Sequence, residues 1–306
     1  MTIEEKKKRL QHLADLARAQ GYVDLTREAE EALRRLDFDK VHLVVLGEFN
    51  RGKSTLVNAL VGEPLLPMDI VPTTARIWAV EHGVQRSASL VMSDGTERPL
   101  AIEELGRLSA EGDLKDASLR FVRVVVPRVA TGEDVIVIDT PGVNDINEQR
   151  AEVTYGFLTN ADAALYVMDA SSPLTKSEAQ FLQGQVLASS LERIVFVLNK
   201  TDRIDEAEIP DAVASAEERL RELLQRDVVV VPFDAARVLQ ALAANKADAA
   251  SFWGWTALRE RMDRLLTDAR APAARLARAE SRARSIALHL LKRLRTRQAA
   301  TLMKAD

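Results

Sequence analysis

The run VHLVVL (41–46) passes directly into GEFNRGKSTLVNAL (47–60), and Gly47 to Ser54 fit the spacing G-x-x-x-x-G-K-[ST]. A buried strand, a glycine-bearing loop and a helix in this order turn successive backbone N–H groups onto phosphate oxygens, with a helix N-terminus behind them. The loop needs a sheet on one side and a helix on the other, so it commits the chain to an α/β architecture. Lys53 is placed to reach the β- and γ-phosphates and Ser54 to ligate Mg²⁺. Gly47, Glu48, Phe49, Asn50, Arg51, Gly52 and Thr55 complete the expected phosphate-binding set. A chance match in a chain of this length is roughly a one-in-100 event. By itself the loop leaves ATP and GTP open.

Seven further apolar runs follow the pattern of strands: ARIWAVE (75–81), SASLVM (87–92), FVRVVVP (121–127), DVIVID (134–139), AALYVMD (163–169), RIVFVLN (193–199) and DVVVVP (227–232). Several are nearly continuous in Val, Ile and Leu, as strands covered on both faces require. Helical periodicity over 54–61, 175–189 and 211–226 predicts β-α-β units and a mostly parallel sheet. The runs flanking SDGT (93–96) predict an antiparallel hairpin at one edge. Before this region, Leu10, Leu13, Leu16 and Ala17, then Ala29, Ala32, Leu33 and Leu36, fall at helical spacing, with Gly21 separating two helices. From 256 the chain is helical again, with a break expected at Pro272. The predicted organisation is a helical segment (1–38), a nucleotide-binding domain (39–254) and a second helical segment (255–306).

Two later motifs select the base. DTPG (139–142) ends a predicted strand and places Asp139 beside the Mg²⁺ shell and the Gly142 N–H near the γ-phosphate. NKTD (199–202) ends another. The two oxygens of Asp202 match the N1–H and N2 amine of guanine, and a buried carboxylate there rejects adenine, which has no such donor pair. Asn199 can tie this loop back to the phosphate loop, and the aliphatic stem of Lys200 can cover the base. Three short motifs in this order, each at a strand end, specify GTP and GDP. In FDAAR (233–237), Asp234 and Ala235 stand where a second base-contacting loop is common. They either contact the base through their backbone or form an ordinary strand–helix turn.

Net charge is 42 − 46 = −4, which argues against a general nucleic-acid binder. There is no cysteine, hence no disulfide or thiolate metal site, and a reducing cytoplasm fits. TIEEKKKRLQHLADLA lacks the apolar core of a signal peptide, and no run reaches the ~18 apolar residues of a membrane span. The expectation is a cytoplasmic protein, at most peripheral on the inner face of a membrane.

GEFNRGKSTLVNALVGEPLLP, followed by VPTTARI, DTPGVND and NKTD, resembles the GTPase domain of bacterial dynamin-like proteins over about 41–232. The resemblance implies a P-loop GTPase domain whose N- and C-terminal flanking helices form a partial helical bundle. It implies that Thr74, 21 residues after Lys53, is the switch residue closing on Mg²⁺ and the γ-phosphate, with Thr73 as the alternative. It further implies GTP-dependent pairing of two GTPase domains and membrane remodelling in the full assembly. The longer stalk and membrane-contacting tip of a complete dynamin-like protein are not recognisable, so an excised module and a small relative are both open. A GTP-regulated switch on the ribosome or RNA, and a GTP-binding scaffold with negligible turnover, are the competing readings.

Two positions depart from familiar GTPases. Val143 follows the DTPG glycine where small signalling GTPases carry a water-orienting Gln, and Phe49 stands where eukaryotic dynamins carry Gln. Charge neutralisation must then come from a partner, a cation or a loop residue. Asn50 either offers its side-chain oxygen to K⁺, as in potassium-activated GTPases it resembles, or bonds only its own loop. Arg51 is either a built-in arginine finger or a side chain facing solvent or a partner domain. FWGW (252–255) is read as packing rather than as a membrane insert. The stretch 259–297, with twelve Arg or Lys against four Asp or Glu, is read as a helix face that is solvated or paired with the acidic segment EAEEALRRLD (28–37), with anionic lipid as the alternative.

Overall fold

The computed structural model describes residues 2–37, 40–68, 77–105, 118–142, 158, 161–186 and 193–302. The chain divides by packing into two units, 41–267 and 1–40 with 268–306.

In the larger unit, nine strands among the described residues form one sheet. In chain order they are β1 (Val41–Leu46), β2 (Trp78–His82), β3 (Ser87–Met92), β4 (Glu97–Leu100), β5 (Leu119–Val126), β6 (Val135–Asp139), β7 (Ala163–Asp169), β8 (Ile194–Asn199) and β9 (Val230–Pro232). Their order in the sheet is β4-β3-β5-β2-β6-β1-β7-β8-β9. The run β6-β1-β7-β8-β9 is parallel throughout, β2 pairs antiparallel with β6, and β3–β4 form the expected hairpin. The mostly parallel P-loop sheet read from the sequence is therefore the observed fold.

Burial explains the composition of the central strands. Every residue of β7 is buried, so it has no polar face to present. On one side of the sheet, Val44, Tyr166, Met168 and Phe196 pack with Phe181 and Leu182, and with Ala216 and Leu220. Tyr166 stacks on Phe181 at 6.5 Å between ring centroids and meets Phe196 at 5.9 Å. An aromatic core residue of this kind contributes about 3–5 kcal/mol against its replacement by alanine. The helix carrying Leu56, Val57 and Leu60, α3 (Lys53–Val61), lies against β1 and β6. Asn58 of α3 is fully buried; its amide accepts from Leu65 N and Leu66 N and donates to Leu66 O, fixing the chain beyond the helix.

Two elements differ from prediction. Of the helix expected over 175–189, α4 (Lys176–Phe181) passes into a π-type turn at Leu182–Val186, and 187–189 lie outside the described residues. β9 covers only the end of DVVVVP, because the Val230 N–H goes to Glu217 Oε1 of α5 (Ile209–Leu224), at 2.9 Å. After α6 (Ala235–Ala243) and α7 (Ala247–Ser251), FWGW divides in its behaviour. Trp255 is buried at the start of α8 (Trp255–Arg270), whereas Phe252 is 86% exposed. The turn at Gly254 (φ +89°) lies so close to Pro232 O that a Cβ would fall 2.2 Å from it.

In the smaller unit, α1 (Ile3–Ala19), α2 (Val23–Asp37) and α9 (Pro272–Leu302) pack side by side. The seam is small and apolar: Leu10, Ala14, Ala29, Ala32, Ala283 and Ile286 meet there. Gly21, at φ +76°, sits in the turn between α1 and α2, and the break at Pro272 separates α8 from α9. On the basic face, Arg293 donates to Asp24 Oδ1 at 2.8 Å, a partner just before the expected 28–37 segment, while lying over the Tyr22 ring. Lys6 Nζ, buried on α1, bonds Glu280 at 2.9 Å and Leu276 O at 2.6 Å.

Candidate functional site

The phosphate loop leaves the end of β1 and is packed too tightly for side chains at its glycines. Gly47 (φ +144°) would place a Cβ 2.4 Å from Val167 O of the neighbouring strand, and Gly52 (φ +85°) would place one 2.3 Å from Asn199 Nδ2. Asn50 also has positive φ, at 59°. Lys53, buried at the start of α3, donates from Nζ to Glu48 O at 2.8 Å and thus folds back across the loop. Thr55, one turn into the site helix, is half-buried.

Ser54 Oγ donates to Asp139 Oδ2 at 2.6 Å, joining the loop to the end of β6. The other oxygen, Asp139 Oδ1, is buried and has no hydrogen-bond partner among the described residues. Burial pushes this carboxyl up to about 6, against the opposing pull of the Lys53 ammonium and the Ser54 hydroxyl. A hydroxyl beside a carboxylate with a spare oxygen is hard oxygen chemistry suited to Mg²⁺, which takes few protein ligands and completes its shell with water and phosphate. The residues therefore fit the expected ion. Past β6, Thr140 Oγ1 donates to Val45 O at 2.7 Å, and Gly142 lies on the loop itself, where a Cβ would fall 2.6 Å from Phe49 N. Phe49 is partly exposed. Thr73, Thr74 and Val143 lie outside the described residues.

The base-reading segment leaves the end of β8. The Asn199 side chain donates to Arg51 O at 2.8 Å and accepts from Ala235 N at 3.0 Å, so one buried amide joins the phosphate loop to the turn before α6. Lys200, at φ +61°, sends Nζ to Asp169 Oδ2 at 3.0 Å and to Asn50 O. Its ammonium thus reaches the phosphate loop as well as offering a stem for the base. Asp202 differs from expectation: the short 3₁₀ turn Thr201–Arg203 carries it to an exposed position instead of burying it. Asp234 is buried and caps α6 by accepting from Arg237 N at 3.0 Å, and burial raises its carboxyl with Asp202 adding to the effect.

Arg51 does not face solvent. Its guanidinium is largely buried between Glu48 and Glu178 of the same unit, at 2.6 and 2.9 Å. Glu178 and Asn58 are the functional-site neighbours that motif reading passed over. Thr175-x-x-Glu178 carries the spacing of a helix capping box and could have been found locally; its reach to Arg51 could not.

The Gly47–Ser54 loop, the Ser54–Asp139 pair and the NKTD turn thus lie at the C-terminal ends of β1, β6 and β8, in the parallel order β6-β1-β7-β8. The sequence model of the dynamin family matches residues 43–201, more than half of the chain, and the chain belongs to that family of GTPases. A bacterial dynamin-like protein from Nostoc punctiforme is 30% identical over 228 residues, covering 68% of this chain and 32% of that protein. An uncharacterised Caldicellulosiruptor protein, encoded in a xynA 3′ region, is 27% identical over 234 residues, covering 76% of this chain and 57% of its own length. Among solved structures, a chain of an oligomerised bacterial dynamin pair superposes with a TM-score of 0.60 at 18% identity, covering 99% of this chain and 48% of that one. The chain thus spans roughly a third to just over half of the length of these relatives.

Proposed function

We propose that the 41–267 unit binds GTP with Mg²⁺ and hydrolyses it to GDP and phosphate, and that two such units pair across their nucleotides. The observation that carries this reading is the Asn199 amide, bonded at once to Arg51 O of the phosphate loop and to Ala235 N beside the base-reading turn. It makes the phosphate and base ends parts of one site. In this reading the loop N–H groups and Lys53 hold the β- and γ-phosphates, and Gly142, seated on Phe49, adds an N–H toward the γ-phosphate. Asp202 accepts both guanine donors, and its exposure is relieved when the base covers it. Ser54, Asp139 and Thr74 hold Mg²⁺, which when bound neutralises charge on the phosphate oxygens. The backbone of Asp234 and Ala235 borders the base.

The water-attacking step lacks a polar side chain at the two customary positions, 49 and 143. A second copy, or K⁺ held by the Asn50 oxygen, supplies the missing stabilisation. The solved bacterial dynamin pair is described as sensing and tethering membranes at long range. By that likeness, the full assembly here works at a membrane surface from the cytoplasmic side, and no helix among the described residues is long and apolar enough to cross one. The helices of the smaller unit act as the bundle that transmits the nucleotide state, and no nucleic-acid partner is involved.

The test is turnover per molecule against protein concentration. Pairing gives specific activity that rises with concentration, and a dimer by light scattering with a transition-state mimic but not with GDP. Constant specific activity over a hundredfold range would assign hydrolysis to a self-sufficient monomer.

A further inference from the structure

Glu48 and Arg51 occupy the second and fifth of the eight positions from Gly47 to Ser54, and neither side chain points to phosphate or base chemistry by its spacing. Their partners come from α4. Arg51 Nε donates to Glu178 Oε1 at 2.9 Å and Nη2 donates to Glu48 Oε2 at 2.6 Å. Ser177 Oγ donates to the other Glu48 oxygen. Glu178 is fully buried, and its Oε2 accepts the Thr175 N–H at 2.7 Å, closing the capping box of α4. Two carboxylates therefore flank one guanidinium on buried or nearly buried atoms.

Removing one partner from such a group strands a charge away from water, which costs far more than losing a surface ion pair. The guanidinium fork spans two carboxylates in a fixed plane, a geometry an ammonium cannot reproduce. Residue 51 is consequently held twice, by its side chain from α4 and by its carbonyl from Asn199. A guanidinium so engaged is not available as an arginine finger within its own site.

We propose that Glu178 is a positioning residue for GTP binding: acting through Arg51, it holds the phosphate loop in its anion-binding form. The inference rests on the GTP-binding reading above and deepens it. It gives a role to a residue 127 positions from Arg51 in sequence and outside every nucleotide motif.

The experiment compares Arg51→Met, Glu178→Met, the double variant and Arg51→Lys with the native chain. Affinity for a fluorescent non-hydrolysable GTP analogue, turnover at saturating GTP and Tm are measured for each. Coupled residues are non-additive, so each Met variant should weaken analogue binding about tenfold and the double no further than the weaker single. Saturating turnover should fall together in Arg51→Met and Glu178→Met, and by far less than the 10³–10⁵ associated with losing an arginine finger. Arg51→Lys should bind as weakly as Arg51→Met, and it decides the matter if Glu178→Met does not fold. Native affinity with only a lowered Tm would make the cluster structural and overturn the proposal. So would additive single effects, or a collapse of turnover in Arg51→Met alone. A native chain that binds no GTP overturns the functional reading and this inference together; the variant outcomes overturn the inference alone.

Discussion

The phosphate end and the base end of the site are built differently. At the phosphate end Lys53, Asp139, Glu48 and Glu178 are all buried, and their charges are held by neighbours in the fold. At the proposed base end the Asp202 carboxylate is exposed on a single 3₁₀ turn, while its neighbours Asn199, Asp234 and Ala235 are buried. A preorganised, buried cradle can bind an anion without rearranging, which is where electrostatic stabilisation is strongest. An exposed carboxylate gains its full strength only once the ligand removes water from it. In the proposed reading, this difference gives tight phosphate binding to the fold and base selection to the ligand's own burial.

The largest expected effects are therefore at the buried end. Lys53→Ala should abolish measurable turnover, since it removes the cation from the loop and also the bond to Glu48 O. Ser54→Asn should weaken Mg²⁺-dependent GTP binding far more than GDP binding, because the triphosphate leans harder on the cation shell. Normal hydrolysis by either variant, measured as phosphate release, would make the loop a structural turn and dissolve the contrast between the two ends.

Base selection should respond next. Asp202→Asn keeps size and turn geometry but offers one acceptor and one amide donor. GTP affinity should fall by about 2–4 kcal/mol, the scale of a lost charge-assisted pair, while xanthosine triphosphate binding is gained. Competition titrations with both nucleotides and ATP check this. Equal affinity of the native chain for ATP and GTP would remove base reading from the exposed end altogether.

Legibility in the sequence follows the same division between local and distant causes. β1, β7 and β8 could be read because strands buried on both faces must be apolar throughout, and that pattern is local. The three nucleotide motifs could be read because phosphate and guanine chemistry dictates residue types at fixed spacing. The ends of elements were less legible: a π-type turn at Leu182–Val186 replaces the α-helix that periodicity alone would continue, and Glu217 takes a backbone donor at the start of β9. Arg51 was the clearest miss. Its ion pair closes across 127 residues, so nothing near it distinguishes a clamped guanidinium from an exposed one. Asp202 illustrates the converse: NKTD does follow a strand end as read, but the exposure of its carboxylate cannot be inferred from spacing.

The smallest effect tests the seam between the two ends, at Asn50. Its backbone oxygen already accepts from the Lys200 ammonium, which also lies 3.5 Å from its side-chain oxygen and is tethered by Asp169. A fixed positive charge thus stands beside the oxygen proposed to hold K⁺, and any monovalent cation must bind against that repulsion. The Asp169 carboxylate offsets it only in part, since the same oxygen also faces Arg203 at 3.7 Å. A potassium effect survives on this account but is modest. Hydrolysis should be a few-fold faster in K⁺ than in Na⁺ or Li⁺ at matched ionic strength. Asn50→Ala should erase that preference while GTP affinity stays within a few fold. Rates that are equal in all three salts would leave the Asn50 oxygens to Lys200 alone. They would assign the missing charge neutralisation to the second copy, and turnover that still rises with concentration would then be the sole source of acceleration beyond the buried cradle.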